Sequence, residues 1–255
     1  MKLEHRIDNL FRSAAISLAL IWNAASAMDI TVIAPNAVKL PLLEIAARHE
    51  AATGHRMVFS WGGTEAITQR IREGEPFDVV VSSAQSIDSL MQDGLIAPAS
   101  RTPFAKSAIG VASRAGMAKP DISSVDGVKE SLLRAKSIAV SSGTSGRHLL
   151  ELFARLGVAE QIRSKLRQPP SGAQIGEMVA SGEVELGFQQ VSELVHVKGI
   201  EYLGPLPAEI QFITVYSAGV GGKSGLQEAG AAFLRRLVQT ESESVFNRAG
   251  LEPCQ

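Results

Sequence analysis

Between residues 29 and 92 the sequence alternates short apolar runs with amphipathic segments, and this alternation narrows the possible folds sharply. Asp29-Ile30-Thr31-Val32-Ile33-Ala34 reads as a buried strand. Residues 40–53 set Leu42, Leu43, Ala46 and Ala47 against Glu44, Arg48 and Glu50 at helical spacing, with Gly54 as the stop. Residues 56–61 form a second strand, 65–73 a helix closed by Gly74, 77–82 a third strand and 86–92 a third helix. A β-α-β-α-β-α series predicts a parallel sheet with right-handed crossovers.

Further along, a long strand is expected at 104–113, a helix from Ser124-Val125-Asp126 to about Ala135, and a short strand at 138–140. Helical patterns follow at 148–156, 158–168 and 176–181, a strand at 184–188, a brief helix at 192–195 and a strand at 200–203. A second long strand at 211–218 matches the first, and helices at 225–240 and 243–249 close the chain. Two long strands thus bracket a self-contained α/β block. The expected organisation is one lobe from residues 28–111 plus 211–255, and an inserted lobe from 112–210, joined by two crossing strands.

Residues 1–27 read as a secretory signal peptide. Lys2, Arg6 and Arg12 form a basic leader, residues 13–22 an apolar run, and Ala25-Ser26-Ala27 an A-x-A cleavage site. An apolar run of that length falls short of the roughly 20 residues that span a bilayer. Export to the periplasm, without stable membrane insertion of the mature chain, is the expectation. The full chain has 25 Lys/Arg and 26 Asp/Glu; removing three and two with the leader leaves 22 and 24, a net charge of −2. That balance offers no electrostatic footprint for nucleic acid. The single cysteine, Cys254, lies beside the C-terminus and has no partner for an internal disulfide.

Residues 138–152 carry the most specific chemistry. An apolar strand breaks into Ser141-Ser142-Gly143-Thr144-Ser145-Gly146 and resumes as a helix from about Arg147. Such a loop presents hydroxyls and unpaired N–H groups at a helix N-terminus, where the dipole is positive, and can hold a small anion. An ordinary capped strand–turn–helix connection is the alternative. Ligands in open α/β sheets gather at the carboxyl ends of strands. The candidate loops are therefore 35–38, 62–64, 82–84, 141–147 and 171–174, converging on one cleft between the lobes.

The fragments Phe59-Ser60-Trp61-Gly62-Gly63-Thr64, Gly74-Glu75-Pro76-Phe77-Asp78-Val79-Val80, Gly182-Glu183-Val184-Glu185-Leu186-Gly187 and Ala249-Gly250-Leu251-Glu252-Pro253 occur in a telling order and spacing. In these the chain resembles the periplasmic solute-binding proteins of ABC transporters, specifically the molybdate-binding family of the type II class. The resemblance covers residues 29–253. It implies an α/β, two-lobe type II fold, each lobe a mostly parallel sheet flanked by helices, working as a monomer with a permease. It also implies an oxyanion held by serine hydroxyls, backbone amides and a tyrosine. Here the first serine falls on Ala37, beside Asn36, the second near Gly63 or Thr64, the helix amide on Ser145 and the tyrosine on Gln190. Two hydroxyl contributors are thus replaced, and each unmade bond to a buried oxyanion costs about 1–3 kcal/mol.

Those replacements favour an organic carboxylate over molybdate or tungstate. Arg147 is expected to grip a carboxylate bidentately, with Gln189 and Gln190 supplying amides, and Gly143, Thr144 and Gly146 completing the loop. The stretches 187–194 and 203–207 resemble a divergent branch that includes an aconitate isomerase, so an enzyme in the same cleft is the competing expectation. His148, Glu65, Lys39 and Glu193 lie near the expected loops, and its base would come from His148 or Glu65 first among them. The five histidines show no metal-ligand spacing, and no dinucleotide or phosphate-loop fingerprint is present, so neither metal nor cofactor is expected.

Overall fold

The computed structural model describes residues 27–254. The expected leader, residues 1–27, lies outside them except for Ala27. The series opens with β1 (Asp29–Pro35), α1 (Lys39–Thr53), β2 (Arg56–Gly62), α2 (Thr64–Arg72), β3 (Val79–Ser83) and α3 (Ala84–Gln92). Then come β4 (Thr102–Arg114), α4 (Val125–Arg134), β5 (Ile138–Val140), α5 (Thr144–Arg155), α6 (Ala159–Ile162) and β6 (Leu166–Arg167). The remainder is α7 (Ile175–Ser181), β7 (Leu186–Gln190), α8 (Val191–Leu194), β8 (Ile200–Pro205), β9 (Ile213–Val220), α9 (Gln227–Leu237), α10 (Thr240–Arg248) and β10 (Glu252–Pro253).

The strands run in the order β2-β1-β3-β9-β4-β7-β5-β6. β1 lies parallel to β2 and β3, as the opening alternation requires, and β9 then pairs antiparallel with β3 and β4. In the other lobe β5 lies parallel to β6 and β7, and β7 runs antiparallel to β4. β4 belongs to both lobes. Residues 102–108 of it pair with β9, whereas 109–113 pair with β7 and 110–114 with β8. The return crossing is pinned to β4 by Gln211, whose side chain accepts from the Ile109 amide at 2.8 Å and donates to the Ile109 carbonyl at 3.1 Å.

Alternation along β1 explains the layering. Ile30, Val32 and Ala34 pack toward α1, α9 and α10 with Leu42, Phe233 and Phe246, while Ile33 joins Ile67, Ile71, Ile87 and Leu90 beneath α2 and α3. The other lobe buries Ile138, Val140, Phe153 and Phe188 on one face, and Ala139, Ile175 and Val179 on the other. Each lobe is a sheet covered on both sides, the arrangement that parallel strands need.

Two local expectations change. The helix expected from about Arg147 begins at Thr144, because the loop's small residues accept helical geometry as soon as Gly143 supplies an extended N-cap. The helical stretch expected over 158–168 breaks after Ile162 into a 3-10 turn and then β6, whose Leu166 and Arg167 pair with β5.

One half-buried carboxylate ties the first lobe together. Asp78 accepts from the Thr31 amide at 2.8 Å, the Thr31 hydroxyl at 2.7 Å and the Ser224 hydroxyl at 2.6 Å, joining β1, the entry to β3 and the approach to α9. Burial alone would raise its pKa; the hydrogen bonds from Ser224 and Thr31 outweigh it and hold the carboxyl below its usual range. A depressed folded-state pKa gives stability above the unfolded value, lost as pH falls through the folded one. Asp78→Asn is expected to cost about 1.5–3 kcal/mol at pH 7, with the gap to wild type narrowing at pH 3, checked by urea unfolding at both pH values.

Candidate functional site in the cleft between the lobes

The two lobes meet through glycine. A Cβ on Gly63 would lie 2.1 Å from the Ser171 hydroxyl and 2.8 Å from the Gly172 amide, and Gly172 itself holds a φ of +91°. Only residues without side chains bring these loops so close. Asn36 spans the same gap, its Nδ2 donating to the Gly172 carbonyl at 3.0 Å. Further out, Arg147 of α5 forms an ion pair with Glu65 of α2, and Glu65 also accepts from the Thr64 hydroxyl at 2.9 Å.

Behind this junction lies a cavity of about 60 Å³, room for one small molecule or ion. From the first lobe it takes Asn36, Ala37, Gly63 and Thr64; from the second, residues 141–145, 169–173, Gln189, Gln190 and Glu193; and from β9, Thr214 and Tyr216. α2 and α5 both start from a glycine with no side-chain cap, Gly63 and Gly143. Their first amides therefore lack intrahelical partners at the cavity wall. Four buried polar atoms on the lining have no hydrogen-bond partner: Ser142 Oγ, Thr144 Oγ1, Ser171 Oγ and Gln190 Oε1. Unsatisfied buried groups are costly, and a ligand oxygen or a water at this point would relieve them.

Among the described residues, no lysine, arginine or histidine lines the cavity, and Glu193 is its only carboxyl. Glu193 accepts from Gln189 Nε2 at 2.9 Å, and Gln189 is fixed in turn by the Gly176 amide and the Ala173 carbonyl. Burial pushes the Glu193 pKa up to about 7, only partly opposed by hydrogen bonds from Gln174 and Gln189. Tyr216 is also raised well above its ordinary value, first by burial and then by the nearby Glu193 charge. Gln190 donates to the Thr214 hydroxyl at 2.8 Å, leaving its carbonyl for the cavity.

Among the sequence-derived candidates, Asn36, Ala37, Gly63, Thr64, Gly143, Thr144, Ser145, Gln189 and Gln190 come together on this lining. Gly146 does not reach it. It faces Ser141, whose carbonyl oxygen a Cβ would meet at 1.6 Å. Arg147 points outward to Glu65 rather than into the cavity, and its side chain is 54% exposed. Starting α5 three residues early turns position 147 by about 300° relative to the helix entry. His148 stacks on Phe212 with ring centroids 4.8 Å apart; His148, Glu65 and Lys39 do not line the cavity, whereas Glu193 does. The 82–84 loop is absent from the lining too, since Ser83 caps α3 through the Ser86 amide. Thr214 and Tyr216 were not foreseen; their i, i+2 spacing in an apolar strand was the available signal.

A family described as bacterial extracellular solute-binding protein matches residues 30–252. The chain belongs to that family. Within it, the chain is 36% identical over 230 residues to an aconitate isomerase from Pseudomonas sp., covering 88% of this chain and 87% of that protein. It is 29% identical over 184 residues to the molybdate-binding protein ModA of Azotobacter vinelandii, with 71% of each covered. The solved Azotobacter vinelandii periplasmic molybdate-binding protein superposes with a TM-score of 0.76 at 21% identity, covering 89% of this chain and 100% of that one. The fold is therefore the two-lobe type II form of this solute-binding family, and the sequence lies in the molybdate-binding group with its aconitate isomerase branch. Among the described residues of this solute-binding protein, no helix is long and apolar enough to cross a membrane, and no group of three or more His, Cys, Asp or Glu could hold a metal.

Glu193 makes stability pH-dependent in a defined direction. A carboxyl whose folded pKa lies above its unfolded value contributes most below the unfolded value near 4.5, and loses that contribution as pH rises to about 7. Glu193→Gln, which cannot ionise, is expected to gain about 3 kcal/mol relative to wild type between pH 4.5 and pH 8. Chemical unfolding of both proteins across that range checks it; a constant difference would place the Glu193 pKa at its ordinary value.

Proposed function

We propose that this chain is exported to the periplasm by a signal peptide over residues 1–27 and serves there as the solute-binding component of an ABC-type uptake system. In this reading, lobe 1 (28–111 plus 211–255) and lobe 2 (112–210) close on a small anion, and a monomer presents the closed form to a permease. An organic carboxylate is favoured over a molybdate-type oxyanion. The observation that carries the proposal is the cleft lining: two uncapped helix N-termini, unpartnered hydroxyls and no cation. Neutral dipoles from both lobes stabilise an anion only when the lobes are together, which couples binding to closure.

The carboxylate preference rests on donor chemistry. Ala37 brings no hydroxyl to the lining, and the Asn36 amide is engaged with Gly172. Gln190 presents a carbonyl that accepts and cannot donate. These are poor partners for four equivalent oxyanion oxygens, and suit planar carboxylates, which offer two oxygens each and are separated by carbon that asks for no donor. The 36% identity with an aconitate isomerase supports the same class.

A second reading, an isomerase acting on aconitate, is favoured by Glu193, an ionisable carboxyl poised near neutral pH inside the cavity. Interconverting the aconitates needs a base to take a proton from the methylene carbon. The released pair forms a new carbon–carbon double bond, and the former alkene carbon takes a proton back, with no redox change. A base with a pKa near the working pH suits that task.

Thermal unfolding with millimolar trans-aconitate, citrate and molybdate tests the proposal. Trans-aconitate or citrate is expected to stabilise the protein by about 2.7 kcal/mol at one hundred times Kd, and proton NMR of the trans-aconitate sample should stay unchanged. Accumulation of cis-aconitate would establish the isomerase reading instead. Stabilisation by molybdate alone would overturn the carboxylate preference.

A further inference from the structure

We propose that anion capture in the cleft is coupled to the uptake of one proton by Glu193. The inference rests on the anion-capture reading above and concerns how the site manages charge.

Glu193 sits on α8, in the wall shared by β7, the 169–173 loop and β9, and among the described residues its carboxyl is the only one on the lining. One carboxyl oxygen takes the Gln189 amide at 2.9 Å, so the group is held in place rather than free to swing into solvent. Among the described residues the cavity has no cationic side chain to offset a second negative charge. An ionised Glu193 beside a bound anion would set two like charges together in a water-poor space, a strongly unfavourable arrangement. Moreover, a fully ionised carboxylate or oxyanion offers only acceptor oxygens. Facing an ionised Glu193 it would pair acceptor with acceptor, whereas a protonated Glu193 donates an O–H to it.

Among the described residues the surroundings leave no other group to supply that proton or charge. Of the elements packed against α8, β7 and the 3-10 turn Asn36–Val38 carry no ionisable side chain, β4 carries Lys106 and Arg114, and β8 carries Glu201 and Tyr202. None of these four lines the cavity. From β9 comes Tyr216, whose hydroxyl stays neutral because burial and the nearby Glu193 both raise it. The amides of Gln174 and Gln189 approach Glu193 without titrating. Ligand charge is therefore met by dipoles at the α2 and α5 ends, and by a neutral carboxyl at the α8 end.

Calorimetric titration of the mature protein with trans-aconitate, and separately with molybdate, in buffers of different ionisation enthalpy reads the proton directly. Carboxylates of ordinary pKa are fully ionised above pH 7, so uptake there belongs to the protein. Close to one proton is expected per anion bound at pH 8.5, with affinity falling roughly tenfold per pH unit above pH 7.5. In Glu193→Gln both effects should vanish, with affinity flat from pH 6.5 to 8.5. Binding of either probe without proton uptake, or uptake that persists in Glu193→Gln, would overturn the inference while leaving anion capture intact. If neither probe binds, the ligand class proposed above fails, and carbon-13 NMR titration of the Glu193 carboxyl decides the inference separately. A midpoint near 7 supports it; a midpoint near 4.3, the ordinary glutamate value, overturns it.

Discussion

β4 runs unbroken through both lobes, and the geometry of the cleft depends on it. Its first half is flanked by β9 and β10, its second by β7 and β8, so each lobe is hydrogen-bonded to the same thirteen-residue strand. A strand shared in this way fixes which loop ends face each other while leaving a narrow waist about which the lobes can move. The return segment is fastened to the waist by Gln211, whose amide satisfies the backbone of Ile109 on β4. From that frame the parallel strands of both lobes aim their carboxyl ends, and the helices that follow them, into one gap.

What fills the gap electrostatically is as informative as its shape. Backbone amides at two uncapped helix starts, a handful of hydroxyls and two glutamine side chains line it, with no arginine, lysine or histidine among the described residues. Dipoles bind an anion less rigidly than a buried ion pair, and leave no uncompensated cation behind when the ligand departs. The cross-lobe ion pair of Arg147 with Glu65 sits outside on a half-exposed surface, where such pairs contribute little, about 0–1 kcal/mol. The contact between the lobes therefore draws on the glycine-permitted approach of Gly63 to Ser171 and Gly172.

Much of the fold was legible in the sequence because its periodicities are local. Strand and helix alternation over residues 29–92, the glycine stops and the bracketing long strands all express short-range rules, and the structure has each of them. The loops at 62–64 and 141–145 were legible too, as small polar residues between a strand and a helix. Less legible was anything that depends on rotation about a helix or on the facing of a distant strand. Arg147 and His148 looked like site residues because they adjoin the loop in sequence, yet a helix start at Thr144 turns both away. Tyr216, Thr214 and the place of Glu193 follow from how β9 and α8 lie across the cavity, which no local pattern encodes. Gln190 on the lining was readable; that Tyr216 reaches the same cavity from β9 was not.

The central claim is that one anion is held at once by the helix starts of both lobes. Hydrogen exchange of the Thr64, Thr144 and Ser145 amides, followed while trans-aconitate is added, tests it most directly. The account predicts that all three amides gain protection together, with a common midpoint. Protection confined to one lobe, or none at saturating ligand, would contradict it.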